Sequence, residues 1–145
     1  SRRINSATIE YKGQIIEFYT CHMNLPTNQE EKMADNIQTI LKRSQTDNLK
    51  ILMGDFNTDA INSPEDYKMI LSQGLYDTYT MAKEKDSGIT VGGNIDGWSK
   101  SKEEKRIDYI LSNKEIKVKS SKVIFNGENH PVVSDHYGLE VILDL

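Results

Sequence analysis

A short polar stretch, Gly54-Asp55-Phe56-Asn57, directly follows an apolar run. In an extended chain Asp55 and Asn57 project to the same side, so both can face a cleft where a strand ends. An aspartate can take a proton from water, and an asparagine can donate a hydrogen bond to charge developing on a phosphoryl oxygen. The other interpretation is an ordinary turn, because glycine, aspartate and asparagine are common turn residues.

A second candidate is Ser134-Asp135-His136, near the end of the chain. Neighbouring residues of a strand face opposite ways, so Asp135 and His136 can share a site only at a strand end or bend. Pro131 supplies such a break. An imidazole can donate to a phosphoryl oxygen or assist a leaving group, and the carboxylate can bind a metal ion or tune the imidazole. The alternative is a loop aspartate beside an exposed histidine.

Two further candidates, Asp108 and His22, are polar residues that lie within or directly after apolar segments. Asp108 lies in the apolar segment Arg106–Leu111, and aspartate is disfavoured inside strands unless it has a partner such as a histidine. His22 follows the apolar segment Ile15–Thr20. The simpler interpretations are an edge-strand aspartate in water and a structural histidine at a strand end.

The pattern of apolar residues predicts a mixed α/β fold with about six strands and two main helices. Residues 77–105 are predicted to be mostly loop. The expected architecture is one mixed β-sheet with helices on one face. The predicted strands are Ala7–Glu10, Gln14–Thr20, Leu49–Met53, Arg106–Leu111, Lys117–Phe125 and Tyr137–Leu143, and the predicted helices are 28–44, with Thr27 or Asn28 as N-cap, and 64–73, with Ser63 as N-cap.

This architecture leaves one sheet face without a cover. The predicted strand Leu49–Met53 is apolar on both faces, and two of its companions are nearly so. Two helices can cover only one face of a six-stranded sheet, and soluble monomers avoid large exposed apolar patches. We therefore expect the bare face to pack on another polypeptide.

Composition limits the function classes. Hydrophobic residues make up 37% and charged residues 28% of the chain, as in soluble globular domains, and no apolar run is long enough to span a membrane. The net charge of −4 argues against a nucleic-acid groove, which needs clustered basic residues. Cys21 is the single cysteine, so no internal disulfide forms and a cytoplasmic location is predicted. The alternative is an export signal removed with a preceding segment, since Ser1 indicates a processed or excised chain.

The motifs follow one another in a specific order: His22, Gly-Asp-Phe-Asn at 54–57, Arg-Ile-Asp-Tyr at 106–109 and Ser-Asp-His-Tyr-Gly at 134–138. Together they resemble the endonuclease/exonuclease/phosphatase superfamily, which includes pancreatic deoxyribonuclease, abasic-site endonucleases, inositol polyphosphate 5-phosphatases and bacterial sphingomyelinases. The resemblance implies that residues 1–145 form the C-terminal half of such a domain, which is half of a four-layer DNase I-like sandwich.

The resemblance also implies a role for each matching residue. Asp55 would position or deprotonate the attacking water, and Asn57 would stabilise the transition state. His22 and His136 would contact the scissile phosphate. Asp108 would orient a histidine, with His136 as the expected partner.

The implied cofactor is Mg²⁺ or Mn²⁺, with Asp135 either pairing with His136 or binding the metal. Family members carry a strand asparagine and a metal-binding glutamate in an N-terminal half, and neither motif occurs here. Glu30 and Glu31 cannot replace that glutamate, because they follow His22 on a predicted helix. We therefore expect this segment to be weakly active or inactive alone, and its bare sheet face to pack on the missing half or on a second copy.

The resemblance implies a phosphatase that acts on a phosphorylated sugar or another small substrate by in-line attack of an activated water. Residues 91–98 and 130–138 look most like bacterial maltose 6′-phosphate phosphatases, with sphingomyelinases as neighbours. Two alternatives stay open at this stage. One is a nuclease of the same superfamily, and the other is a binding module that has kept the fold without the chemistry.

Overall fold

The computed structural model describes residues 4–23, 30–92, 95 and 103–145, and it arranges their strands in two sheets. One sheet has five strands in the order β1-β2-β3-β6-β4, and the other has three in the order β5-β7-β8. The elements are β1 (Asn5–Tyr11), β2 (Gln14–His22), α1 (Glu30–Lys42), β3 (Leu49–Asp55), α2 (Pro64–Leu71), β4 (Tyr76–Asp77), α3 (Thr78–Met81), β5 (Ala82–Lys85), β6 (Asp108–Ser112), β7 (Val118–Ile124) and β8 (Gly138–Leu143).

The mixed α/β class is confirmed, but the strands form two sheets where the sequence predicted one. The reason is that β6 is already paired on both sides, with β3 on one and with the two-residue strand β4 on the other. Strand β4 takes the second edge of β6 at Leu111 and Ser112. Strand β7 instead pairs with β5 in parallel and with β8 in antiparallel orientation.

The β1–β2 hairpin was predicted, and its turn explains its register. Lys12 and Gly13 have φ angles of 49° and 78°, as required at both central positions of the tight turns whose twist suits a hairpin. Tyr11 and Gln14 are therefore paired directly across the turn. In the parallel ladder between β2 and β3, Ile16 is level with Leu49, so the two strands end side by side.

One face of the five-stranded sheet packs on α1 and α2. Alternate side chains of β2 and β3, such as Tyr19 and Leu52, are buried against the apolar stripe of α1. Each large side chain removed from water contributes about 1.5–3 kcal/mol. The buried members of this core are Tyr19, Cys21, Met23, Met33, Ile37, Ile40, Leu52, Phe56, Ile70, Leu75, Tyr109 and Leu111.

The opposite face is covered only in part. Ile16 and Ile51 are fully buried there, because the end of β8 and the C-terminus fold over them with Leu143 and Leu145. This internal cover is a second departure from the sequence prediction, which had the face bare. Around this patch the cover is thinner: Phe18, Met53 and Ile110 are half-buried and Ile9 on β1 is 45% exposed.

A buried ion pair ties the segment 76–85 to the start of β6. Arg106 Nη1 donates to Asp77 Oδ2 at 2.7 Å, and the guanidinium lies within 5.1 Å of the ring centres of Tyr67, Tyr79 and Tyr109. Burial alone would lower the pKa of Arg106, but the charge and hydrogen bond of Asp77 raise it above its ordinary value. A buried cation is tolerated only with such a partner, so this segment is structured although loop was predicted.

Some sequence predictions fall outside the described residues. They concern the N-cap of the first helix at Thr27 or Asn28 and most of the loop 91–98. Among the described residues, no helix has the length and apolar character needed to cross a membrane. The cytoplasmic location stays a prediction.

A second buried carboxylate anchors the connection from α1 to β3. Glu17 is 4% exposed; its Oε1 accepts from Ser44, Thr46 and Asn48 at 2.9, 2.7 and 2.8 Å, and its Oε2 accepts from the Tyr19 hydroxyl at 2.6 Å. Burial alone would raise the pKa of Glu17, but these four hydrogen bonds outweigh burial and lower it to about 2. The ionised form is therefore the one the fold stabilises.

We expect Glu17→Gln to lower the free energy of unfolding at pH 7 by about 1–3 kcal/mol, because one of its four donors loses its acceptor. The pKa of Glu17 is about 2 in the folded state and 4.5 in the reference state, so the stabilisation is present above pH 4.5 and is lost as the pH falls towards 2. Urea unfolding at several pH values measures this difference. The exposed Glu10→Gln is the control, and an equal effect of both variants at pH 7 would contradict the prediction.

Candidate functional site

Three of the residues singled out from the sequence lie in one row across the five-stranded sheet. The ladders pair His22 with Asp55 and Asp55 with Asp108. Paired residues of neighbouring strands project from the same face, so the three side chains share the face that α1 and α2 do not cover. The row lies at the C-terminal ends of β2 and β3, where a polar cluster can reach solvent.

The side chain of Asp55 is held by two contacts and that of Asn57 by one. Asp55 Oδ1 accepts from the backbone N–H of Asn57 at 2.7 Å, and Oδ2 lies 3.2 Å from His22 Nε2. Asn57 has a φ of 51°, a left-handed conformation that asparagine adopts more easily than most residues. Its Nδ2 donates to the Met23 carbonyl at 2.8 Å. One of the two amide hydrogens of Asn57 is therefore used to hold the backbone after β2.

Asp108 and His136 form the second pair, although they are far apart in sequence. His136 Nδ1 lies 2.9 Å from Asp108 Oδ2, with 23% and 18% of the two side chains exposed. With the proton on Nδ1, the imidazole donates to the carboxylate and keeps Nε2 free for another partner. His22 is more open, with 58% of its side chain exposed. The two histidines therefore differ in how firmly they are held.

The carboxylate of Asp108 is partly buried beside that of Asp55, and both conditions affect its ionisation. Burial raises the pKa of Asp108, and the charge of Asp55 raises it further. Hydrogen bonds from Thr90 and His136 lower it without cancelling the rise. Burial, with the Asp55 charge, also raises the pKa of Cys21 to about 12, so at neutral pH this thiol is not a nucleophile.

The ligand atoms of Asp55, Asp108 and His136 all lie within 4.8 Å of one another. The two carboxylates supply the oxygen ligands that suit Mg²⁺ or Mn²⁺, and a cation between two close carboxylates would relieve their repulsion. The donor set therefore fits a divalent cation. Asp135, the metal ligand expected from the resemblance, is exposed and accepts a 3.1 Å hydrogen bond from Ser134. It lies outside this group of three, and metal binding by Asp135 stays a prediction.

Sequence reasoning did not select Thr90, which contacts the site from a segment predicted to be loop. Thr90 is fully buried, and its Oγ1 accepts from the backbone N–H groups of Ile107 and Asp108 at 3.2 and 3.3 Å. The glycine-rich composition around it gave no sign of this contact. The contact of Thr90 with the site is evident only in the folded structure, where β6 lies beside it.

The sequence matches the model of the Endonuclease/Exonuclease/phosphatase family over residues 4–136. A search of the curated proteins found no match. The solved structure of an endonuclease/exonuclease/phosphatase family protein from Leptotrichia buccalis is 63% identical, with a TM-score of 0.89, and the match covers 98% of this chain and 54% of that chain.

The mannosyl-6-phosphatase Bt3783 from Bacteroides thetaiotaomicron is 25% identical with a TM-score of 0.70, covering 92% of this chain and 53% of that one. Beta toxin from Staphylococcus aureus is similar in fold alone, at 14% identity and a TM-score of 0.70, covering 97% and 57%. The chain thus spans about half the length of these structures, and the expected DNase I-like fold is confirmed.

We predict that Gly54→Ala will disrupt the row, because a Cβ at this position would lie 1.9 Å from the Cys21 carbonyl oxygen and Gly54 has a φ of 135°. The expected loss in free energy of unfolding is about 3 kcal/mol or more. The control is Gly74→Ala, where φ is 88° but nothing lies within 4 Å, so only backbone strain of about 1–2 kcal/mol applies. Equal losses in urea unfolding would show that close approach of β2 and β3 is not what requires Gly54.

Proposed function

Because the chain belongs to the Endonuclease/Exonuclease/phosphatase family, we propose that it is the C-terminal half of a divalent-metal-dependent phosphoester hydrolase domain. The observation that carries this proposal is the pairing of two carboxylates with two histidines at one sheet edge, in the contacts Asp55–His22 and Asp108–His136. Such a cluster can bind a cation, activate water and donate to a phosphoryl oxygen.

In this proposal Asp55 positions or deprotonates the attacking water. Asp108 holds His136 through Nδ1, so that Nε2 is presented to a phosphoryl oxygen or to the leaving group. His22 contacts the same phosphate from the more open side. Asn57 donates the amide hydrogen that Met23 does not use, and thereby stabilises charge that develops in the transition state.

Asp55 and Asp108 would hold the metal ion through their carboxylate oxygens, with Asp135 proposed as a further ligand. A bound Mg²⁺ or Mn²⁺ would neutralise charge on the phosphoryl oxygens. Its affinity would depend on pH, because burial and the charge of Asp55 raise the pKa of Asp108 and protons then compete with the ion as the pH falls.

The proposed substrate is a phosphorylated sugar or a similar small phosphoester. Support comes from the likeness to a protein described as a mannosyl-6-phosphatase, at 25% identity, and from the net charge of −4, which suits a small substrate better than duplex DNA. A nuclease remains the alternative within the family. A binding module without catalysis is the third candidate, because the metal-binding glutamate expected from the resemblance is absent from this segment.

We expect phosphate release from sugar phosphates by the longest natural reading frame that contains this chain, in the presence of Mg²⁺. EDTA should abolish the release, and Asp55→Ala should reduce it by at least about 100-fold, because the group that acts on water is lost. The 145-residue segment should release little or none alone.

Asp47→Ala, at an exposed loop carboxylate, is the control and should keep full activity. No release from any sugar phosphate would refute the small-substrate proposal and direct the assays to DNA, RNA and sphingomyelin. No activity on any of these would leave the binding module as the better account.

We also expect the 145-residue segment to self-associate, because part of its sheet face stays apolar and accessible around Ile9, Phe18 and Met53. In the longer polypeptide this face is proposed to pack on the remainder of the domain. Sedimentation velocity across a concentration series measures the association. Ile9→Ser should weaken it, whereas Ile61→Ser, at an exposed isoleucine outside the sheet, should not. A stable monomer at high concentration would contradict the prediction.

A further inference from the structure

The Asp108–His136 pair joins two different sheets. Asp108 is the first residue of β6 in the five-stranded sheet, whereas His136 precedes β8 in the three-stranded sheet. No ladder connects β6 with β8 among the described strands. Backbone pairing therefore does not set the 2.9 Å contact between the carboxylate and the imidazole, and some other contact must fix it.

Thr90 makes hydrogen bonds to the backbone on both sides of the Asp108–His136 contact. On one side its Oγ1 accepts from the backbone N–H of Asp108 at 3.3 Å and from that of Ile107 at 3.2 Å. On the other side its carbonyl accepts from the backbone N–H of Tyr137, next to His136, at 2.8 Å. Its own N–H donates to the Lys105 carbonyl at 2.9 Å, so Thr90 is itself fixed against the segment that leads into β6.

We propose that Thr90 is a positioning residue that sets the distance and orientation of the Asp108–His136 pair. It does not touch the reacting atoms in this arrangement. Its part in catalysis rests on the proposed phosphoester hydrolysis, whereas its effect on the geometry of the pair does not.

The hydroxyl oxygen of Thr90 is the hydrogen-bond acceptor that a residue of similar shape, such as valine, lacks. Thr90 is 0% exposed, so water cannot take over as acceptor for the two backbone N–H groups. Valine has nearly the same shape but leaves both donors without a partner, and a buried donor without a partner is costly. Serine keeps the oxygen and loses only the methyl group. The two substitutions therefore separate the hydrogen bonds from the packing.

The first readout is steady-state phosphate release by the longest natural reading frame. Thr90→Val should lower kcat by roughly 10- to 100-fold with KM changed less than about threefold, and Thr90→Ser should stay within about threefold of wild type. Thr78→Val is the matched control, because Thr78 is also buried and its Oγ1 donates to the Ile110 carbonyl of β6 at 2.7 Å. It should keep the wild-type kcat.

The second readout is independent of activity and uses the imidazole ¹⁵N and ¹H signals of His136. In wild type, Thr90→Ser and Thr78→Val, the Nδ1 proton should be sheltered and shifted downfield by its bond to Asp108. In Thr90→Val this signal should broaden or move upfield. If Thr90→Val does not fold, Thr90→Ala and Thr78→Ala replace the valine pair, with the same expected difference.

The results distinguish the proposed role of Thr90 from the proposed hydrolase function. Equal kcat values and equal His136 signals in Thr90→Val and Thr78→Val would overturn the role of Thr90. If the wild-type protein releases phosphate from no substrate, the proposed function fails, and the His136 signal alone then decides whether Thr90 positions the pair. A loss of kcat in Thr90→Ser as large as that in Thr90→Val would assign the effect to packing and would also overturn the proposal.

Discussion

The site depends on the close placement of two carboxylates, those of Asp55 and Asp108. The antiparallel register of β3 and β6 pairs them on the same sheet face, where like charges are unfavourable neighbours. Each carboxylate has its own histidine within 3.2 Å, and that of Asp55 also accepts a hydrogen bond from the Asn57 backbone N–H. A divalent cation bound between them, as proposed above, would relieve the same repulsion.

Much of the fold was predictable because long apolar patterns mark its elements. The β1–β2 hairpin, the two longer helices and strands β3, β6, β7 and β8 lie near their predicted positions. Strand β4 has two residues and helix α3 has four, too few for any periodicity to show. The division into two sheets was missed because pairing between distant strands decides it: the short β4 occupies the edge of β6 that β7 would need.

The site was predictable to a different extent. The sequence singled out His22, Asp55 and Asp108 one by one, and the ladders bring them into one row. The proximity of His136 to Asp108 depends on how two sheets meet, which strand patterns do not encode, so it came from the resemblance alone. The sequence did not indicate Thr90, because a single threonine near glycines forms no recognisable motif. The roles proposed for all these residues stay predictions.

The row across β2, β3 and β6 also limits how this region can change in evolution. Side chains alternate between the two faces of a strand, so one residue inserted into or deleted from β3 before Asp55 would turn its carboxylate towards the core beneath α1. The same change would shift Gly54 out of register with β2. Gly54 tolerates no side chain against the Cys21 carbonyl. Insertions and deletions in homologous sequences should therefore fall in the connections between these strands, while the strands themselves keep their lengths.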